Sequence, residues 1–165
     1  MLSRVADSLF WLGRYIERAE NYARFIDVNS NLALDLPPQI MEQWEPLIAV
    51  TGDLDLFYER YDHCTREDAI YFLAFDQGNP NSLYSSVSMA RENARIVREN
   101  LTKETWEVLN ELYLYIQEGI SRKIWKKEDP RSFFIDVKYR IQLLYGIAYN
   151  SVARTEGWYW VSLGQ

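Results

Sequence analysis

A chain of 165 residues has the length of one domain, long enough for a packed core and too short for two independently folded catalytic domains. Its 48% hydrophobic and 25% charged residues exclude a disordered or fibrous chain, and no apolar run approaches the roughly 20 residues that span a bilayer. With 18 Lys+Arg against 24 Asp+Glu the net charge is −6, which argues against a general nucleic-acid binder or a polybasic membrane anchor and leaves room only for a local basic site.

The apolar residues recur at helical spacing over long windows, so the predicted fold is all-α. Val5, Leu9, Leu12, Ile16, Ala19, Ala23 and Ile26 form one stripe, and Trp11, Tyr15, Arg18, Tyr22 and Phe25 form a second row beside it. More than half of that helix is apolar or aromatic, which puts it deep in a bundle. It is predicted to run from an N-cap at Ser3 to about Leu34, ahead of Pro37-Pro38. Short helices follow over Pro38–Val50 and from Asp53 to about Tyr61, separated by Gly52. Thr65-Arg66-Glu67-Asp68 resembles a capping box before Ala69–Phe75, and Asp76-Gln77-Gly78-Asn79-Pro80-Asn81 is the clearest loop. Leu83, Val87, Ala90, Ala94, Val97 and Leu101 predict a second core helix. Thr102 caps the next, which carries Trp106, Leu109, Leu112 and Ile116 and stops near Gly119. Asp129-Pro130 opens a final long helix through Phe134, Val137, Ile141, Leu144, Ala148 and Val152, bending near Gly157. The sum is a bundle of three or four long antiparallel helices with additional short helices.

Cys64 is the only cysteine and His63 the only histidine. The chain therefore has no internal disulfide and lacks the two Glu-x-x-His pairs of a di-iron bundle. Glu59 and His63 share a helix face, but two ligands do not make a site, and solvated surface is the simpler reading. No metal and no cofactor are expected. The opening MLSRVADSLFWLGRYIERAE has no basic segment, apolar stretch and cleavage site in succession, which predicts a cytoplasmic protein.

Arg18 falls among Trp11, Tyr15, Tyr22 and Phe25 at 100° per residue, so its guanidinium is predicted to be partly buried and in need of partners. Glu17 lies within reach of Arg14 and Asn21, as a surface ion pair or as part of a site. On the second core helix Arg91, Arg95 and Arg98 form a cationic stripe, with Glu92 and Asn93 between them. Three neighbouring guanidinium groups repel, and are compensated either by carboxylates of another helix such as Glu17 or Glu20, or by an anionic ligand. The candidate binding residues are thus Arg14, Glu17, Arg18, Arg91, Glu92, Asn93, Arg95 and Arg98. No phosphate loop or nucleophile elbow is present, and glutamate acid–base chemistry has nothing that selects it. Trp158, Tyr159 and Trp160 cannot all face one core, so part of this cluster is expected at the surface, where it leaves self-association open.

Two ordered segments carry a family resemblance: Ser3-x-x-Ala6-x-x-x-x-Trp11-x-Gly13-Arg14-Tyr15-x-Glu17-Arg18-Ala19-Glu20-x-x-Ala23-Arg24, and Ala90-Arg91-Glu92-Asn93-Ala94-Arg95-x-x-Arg98-Glu99-x-Leu101-Thr102-x-Glu104-x-Trp106-x-x-Leu109-Asn110. They resemble the bacterial alpha-E family, an all-helical group named for a Glu-Arg signature, which matches Glu17 and Arg18 here. The resemblance implies companionship with circularly permuted ATP-grasp ligases and transglutaminase-like proteases encoded nearby. Its members are therefore expected to be helical partners or adaptors in making or processing an amide-bonded product. The alternative is an enzyme or binding protein that grips an anionic small molecule or peptide through Glu17, Arg18 and the Arg91/Arg95/Arg98 stripe. Family members resemble two tandem halves, and Leu163-Gly164-Gln165 answers to Leu12-Gly13-Arg14. The resemblance thus implies one α-helical domain over residues 1–165 that stops before a second Glu-Arg half.

Overall fold

A computed structural model describes residues 3–35, 44–152 and 156–165. The helices are α1 (Ser3–Asp35), α2 (Trp44–Thr51), α3 (Leu54–Tyr58), α4 (Arg66–Ala74), α5 (Leu83–Ile96), α6 (Lys103–Ser121), α7 (Arg131–Val152) and α8 (Glu156–Gly164). No strand occurs among the described residues, as the helical spacing predicts. The part of the expected second helix over residues 38–43 lies outside the described residues.

Side-chain pairs give the helix directions. Asp27 of α1 meets Arg131 and Lys138 at the start of α7, and Glu17 meets Tyr145 further along it, so α1 and α7 are antiparallel. Arg98 lies against Trp106, Arg91 against Asn110 and Tyr84 against Tyr113, which makes α5 and α6 antiparallel. Tyr115 bonds Asp136 while Gly119 sits under Phe133, so α6 and α7 are antiparallel too. Because α1 also packs on α5, the four long helices close into a ring. The first stripe of α1 fills its centre: Leu9, Ile16, Ala19, Ala23 and Ile26 are each no more than 1% exposed. Each such leucine or isoleucine contributes about 1.5–3 kcal/mol by leaving water.

Three helices start where side-chain oxygens can accept the orphan amides of a first turn. Thr65 accepts from Asp68 N, Ser82 from Ser85 N and Thr102 from Thr105 N. Several ends differ from the sequence reading: Ser3, the expected N-cap, lies within α1, and the helix expected to reach about Tyr61 stops at Tyr58. The α-helical part of α5 stops at Ile96, and a 3₁₀ turn, Arg98–Asn100, replaces its expected last turn. Val97 stays 1% exposed through that turn, so apolar spacing alone does not reveal the change. The helix α6 runs past Gly119 to Ser121, and the left-handed residue that ends it is Lys123, at φ 49°. Gly119 is instead a packing glycine, because an added Cβ would lie 2.5 Å from the Phe133 ring.

Gly157, where the sequence predicts a bend, lies within α8, which is laid across α1, and residues 153–155 before it lie outside the described residues. The crossing is reciprocal. A Cβ on Gly13 would collide with the carbonyl oxygen of Val161, and one on Gly164 with that of Phe10. Of the terminal aromatics Tyr159 is 71% exposed, while Trp158 is half-buried with its ring edge-on to Tyr149 at 5.5 Å.

The loop before α5 is locked from within. Asp76 is 2% exposed and accepts Arg60 Nε at 3.0 Å, Arg60 Nη2 at 2.9 Å, the Tyr61 hydroxyl at 3.0 Å and Gly78 N at 2.8 Å. Asn79 donates to Phe72 O at 3.0 Å. Asn81 and the Tyr22 hydroxyl both donate to Asp53, which ties this loop to α1. A buried carboxylate with every lone pair engaged stabilises the fold, whereas an unpaired one costs several kcal/mol.

Candidate functional site

Arg14, Glu17, Arg18, Asn21, Tyr22 and Phe25 recur every three or four residues on α1 and line an open groove of about 220 Å³. The Tyr22 end is fixed by its 3.0 Å bond to Asp53, and burial raises that hydroxyl pKa far above the tyrosine range, with Asp53 adding to the effect. Glu17 accepts from Asn21 Nδ2 at 3.4 Å and from the Tyr145 hydroxyl at 3.3 Å. Burial, then the charges of Glu17 and Glu20, push the Tyr145 hydroxyl well above the tyrosine range, so it remains a donor throughout neutral pH. Both bonds to Glu17 are long, and its carboxylate keeps acceptor capacity toward the groove.

The two arginines are differently placed. Arg18 is half-buried with its guanidinium 5.5 Å from the Tyr15 ring, a contact contributing about 0.5–1 kcal/mol. Arg14 is exposed. Neither has a carboxylate partner among the described residues. Two cations and one anion give this groove a charge of +1 in a chain of −6. Glu20, buried on the same helix, is taken by Arg24 at 2.7 Å.

The structure does not bring the second arginine group to this groove. Arg91 donates to Asn110 Oδ1 at 2.9 Å and lies 4.7 Å over the Tyr113 ring and 5.7 Å from Trp106. Arg98 covers the same Trp106 at 4.7 Å. Arg95 donates to Glu92 at 2.9 Å, and Asn93 to the Met89 carbonyl at 2.8 Å. The expected compensation by Glu17 or Glu20 is therefore replaced by Glu92 of the same helix for Arg95, and for Arg91 and Arg98 by α6, whose aromatic faces and Asn110 disperse the charge at the α5–α6 seam.

Sequence reading missed Tyr145 and also Asp27. Asp27 is 8% exposed and accepts Arg131 Nε at 3.1 Å and Lys138 Nζ at 2.6 Å, which clamps α1 to α7. The available signal was its register: Asp27 follows Ala23 and Ile26 on the buried stripe, where a carboxylate demands cations from another helix. Elsewhere chemistry is quiet. Burial, then the nearby Glu45 and Asp68, push the Cys64 thiol up to about 11, leaving it largely protonated and unreactive at neutral pH. The apolar cavity between α1, α6, α7 and α8 holds about 30 Å³, the space of roughly one water.

The Alpha-E family, described as a predicted alpha-helical domain with a conserved ER motif, matches residues 1–165. The chain belongs to the Alpha-E family. Uncharacterised proteins of Mycobacterium bovis and Mycobacterium tuberculosis are similar to it, each 27% identical over 187 residues covering 98% of this chain. The chain spans about a fifth of the length of these curated relatives, 20% in each case. No solved structure matches. In this Alpha-E chain Glu17-Arg18 sits in the groove, with Glu17 turned to α7 and Arg18 held against α1's own aromatic row.

Proposed function

We propose that this Alpha-E chain is a helical partner or adaptor protein in a peptide-processing system with an ATP-grasp ligase or transglutaminase-like protein, which it meets through the α1 groove. Arg14 and Arg18 carry this reading, since they line an open groove with no carboxylate partner among the described residues. Arg60, Arg91, Arg95 and Arg131, by contrast, all have partners within the fold. Guanidinium groups left free beside aromatic rings are the composition of a protein-contact anchor. The reading treats residues 1–165 as one α-helical domain ahead of a second Glu-Arg half, working in the cytoplasm with its partner.

Co-purification with an ATP-grasp ligase and with a transglutaminase-like protein, and assay of that ligase with and without the chain, test the proposal. The expected result is a complex weakened at least about tenfold by Arg14→Glu/Arg18→Glu, with the melting temperature lowered only by the loss of the Arg18–Tyr15 ring contact, about 0.5–1 kcal/mol, since no ion pair is lost. No complex and no stimulation would sink it.

A second reading rests on the groove's size, about 220 Å³, which suits the carboxylate or phosphate of a small molecule or peptide held between Arg14 and Arg18. It fails if Glu17→Gln and Arg18→Lys preserve function in cells and lower only the melting temperature.

A further inference from the structure

A second charged surface lies where α6 turns into α7. Residues 122–131 carry Arg122, Lys123, Lys126, Lys127 and Arg131 against only Glu128 and Asp129, in a chain of net charge −6. The backbone there is held rigidly. Lys123 takes the left-handed conformation that ends α6, and a 3₁₀ turn, Ile124–Lys126, follows. Ile124 is 1% exposed, and Trp125 packs edge-on to Tyr71 at 4.8 Å and against Phe75 at 5.4 Å. Arg66 of α4 donates to the carbonyls of Lys127 at 3.0 Å and Glu128 at 2.8 Å. With the apolar side chains turned inward and the carbonyls pinned, Lys123, Lys126 and Lys127 are left outward and exposed. None of the three ammonium groups has a carboxylate partner among the described residues, and Arg122 has only Glu118 at 3.4 Å. Beside them a concavity of about 130 Å³ is lined by Tyr115, Arg122, Lys127, Ser132 and the flanking Asp129 and Asp136.

We infer that this corner docks a short acidic peptide segment of a partner protein. Exposed charges add little affinity singly, so a partner must present several carboxylates at once, and the gain is mainly in encounter rate and orientation. A short segment fits better than an extended polyanion. Glu118 pairs with Arg122, Asp129 and Asp136 line the concavity and Glu128 adjoins Lys127 in the chain, and these carboxylates repel an anion that spreads beyond the corner. The surface is separate from the α1 groove: Arg131, at its edge, is bound to Asp27, roughly 13 Å along α1 from Arg18.

The test is fluorescence anisotropy of a labelled octa-glutamate peptide at low salt, with the whole chain and with Lys126→Glu/Lys127→Glu, whose side chains are exposed and unpaired. Binding by the wild type that falls at least about tenfold in this variant, weakens with added salt and is unchanged in Arg14→Glu/Arg18→Glu is the expected result. Absent binding, or binding untouched by the lysine reversal, overturns the inference. Loss in the Arg14/Arg18 variant instead would transfer the peptide to the α1 groove and overturn it as well. Tighter binding of duplex DNA or of phosphatidylserine vesicles, measured in parallel, would make the corner a general polyanion surface and likewise overturn it. Failure of the ligase co-purification would leave these readouts unaffected.

Discussion

Lys123 is the one non-glycine residue with positive φ among the described residues. An L side chain at φ 49° sets its Cβ against the neighbouring carbonyl and costs about 1–2 kcal/mol, which a glycine would not incur. Glycine's freer unfolded chain takes back about 0.5–1 kcal/mol. Lys123→Gly is therefore expected to stabilise the protein by about 0.5–1 kcal/mol, read as a higher denaturation midpoint with unchanged slope. A lower midpoint would mean that the lysine side chain stabilises α6 by a contact outweighing the strain. The same corner shows why a glycine in the sequence misleads. Gly119 is the residue whose backbone freedom suggests a helix stop, yet it lies inside α6 for want of space beneath Phe133. Small size and conformational freedom leave the same letter in a sequence, and only the neighbour across the interface tells them apart.

Between elements, the clearest case is α1 against α8, where two glycines let the backbones touch. Alanine favours a helix interior over glycine by about 1 kcal/mol, so Gly→Ala ordinarily stabilises a helix. At Gly13 the new methyl meets the Val161 backbone, which has no flexible end to move aside. Gly13→Ala is therefore expected to cost about 1–3 kcal/mol net and to raise amide exchange across α8 before the rest of the bundle opens. Gly146 in α7 is the internal control, with nothing within 4 Å of an added Cβ, so Gly146→Ala should stabilise by about 0.5–1 kcal/mol. Equal signs for the two substitutions would refute the backbone-contact account. Local signals made much of this level legible: Thr65 and Thr102 mark real helix starts because a cap needs only the next turn, whereas Ser82, which caps α5 in the same way, went unread. The partners of charged groups were not legible. Arg91 and Arg98 find Trp106, Tyr113 and Asn110 through a helix crossing angle that no spacing within α5 encodes.

At the scale of the molecule, four antiparallel helices form a closed ring with α1 as the shared member, and among the described residues nothing covers the face of α8 turned away from α1. Tyr159 is 71% exposed, Leu163 67% and nearby Tyr149 58%. Apolar spacing foretold the bundle, because burial on one stripe is a property of each helix alone. Which aromatics stay outside depends instead on how α8 is laid across α1. An exposed group of this kind favours pairing with another apolar face, at about 1.5–3 kcal/mol for each large side chain fully buried. Because these side chains are already partly buried and association itself is costly, the self-association predicted through this face is weak and concentration-dependent. Sedimentation velocity over a concentration series is expected to show a sedimentation coefficient that rises with concentration, and Tyr159→Lys/Leu163→Lys should flatten it without lowering the melting temperature, since both side chains already face solvent. A wild-type chain that stays monomeric to millimolar concentration would remove self-association through this face and leave it to a different protein.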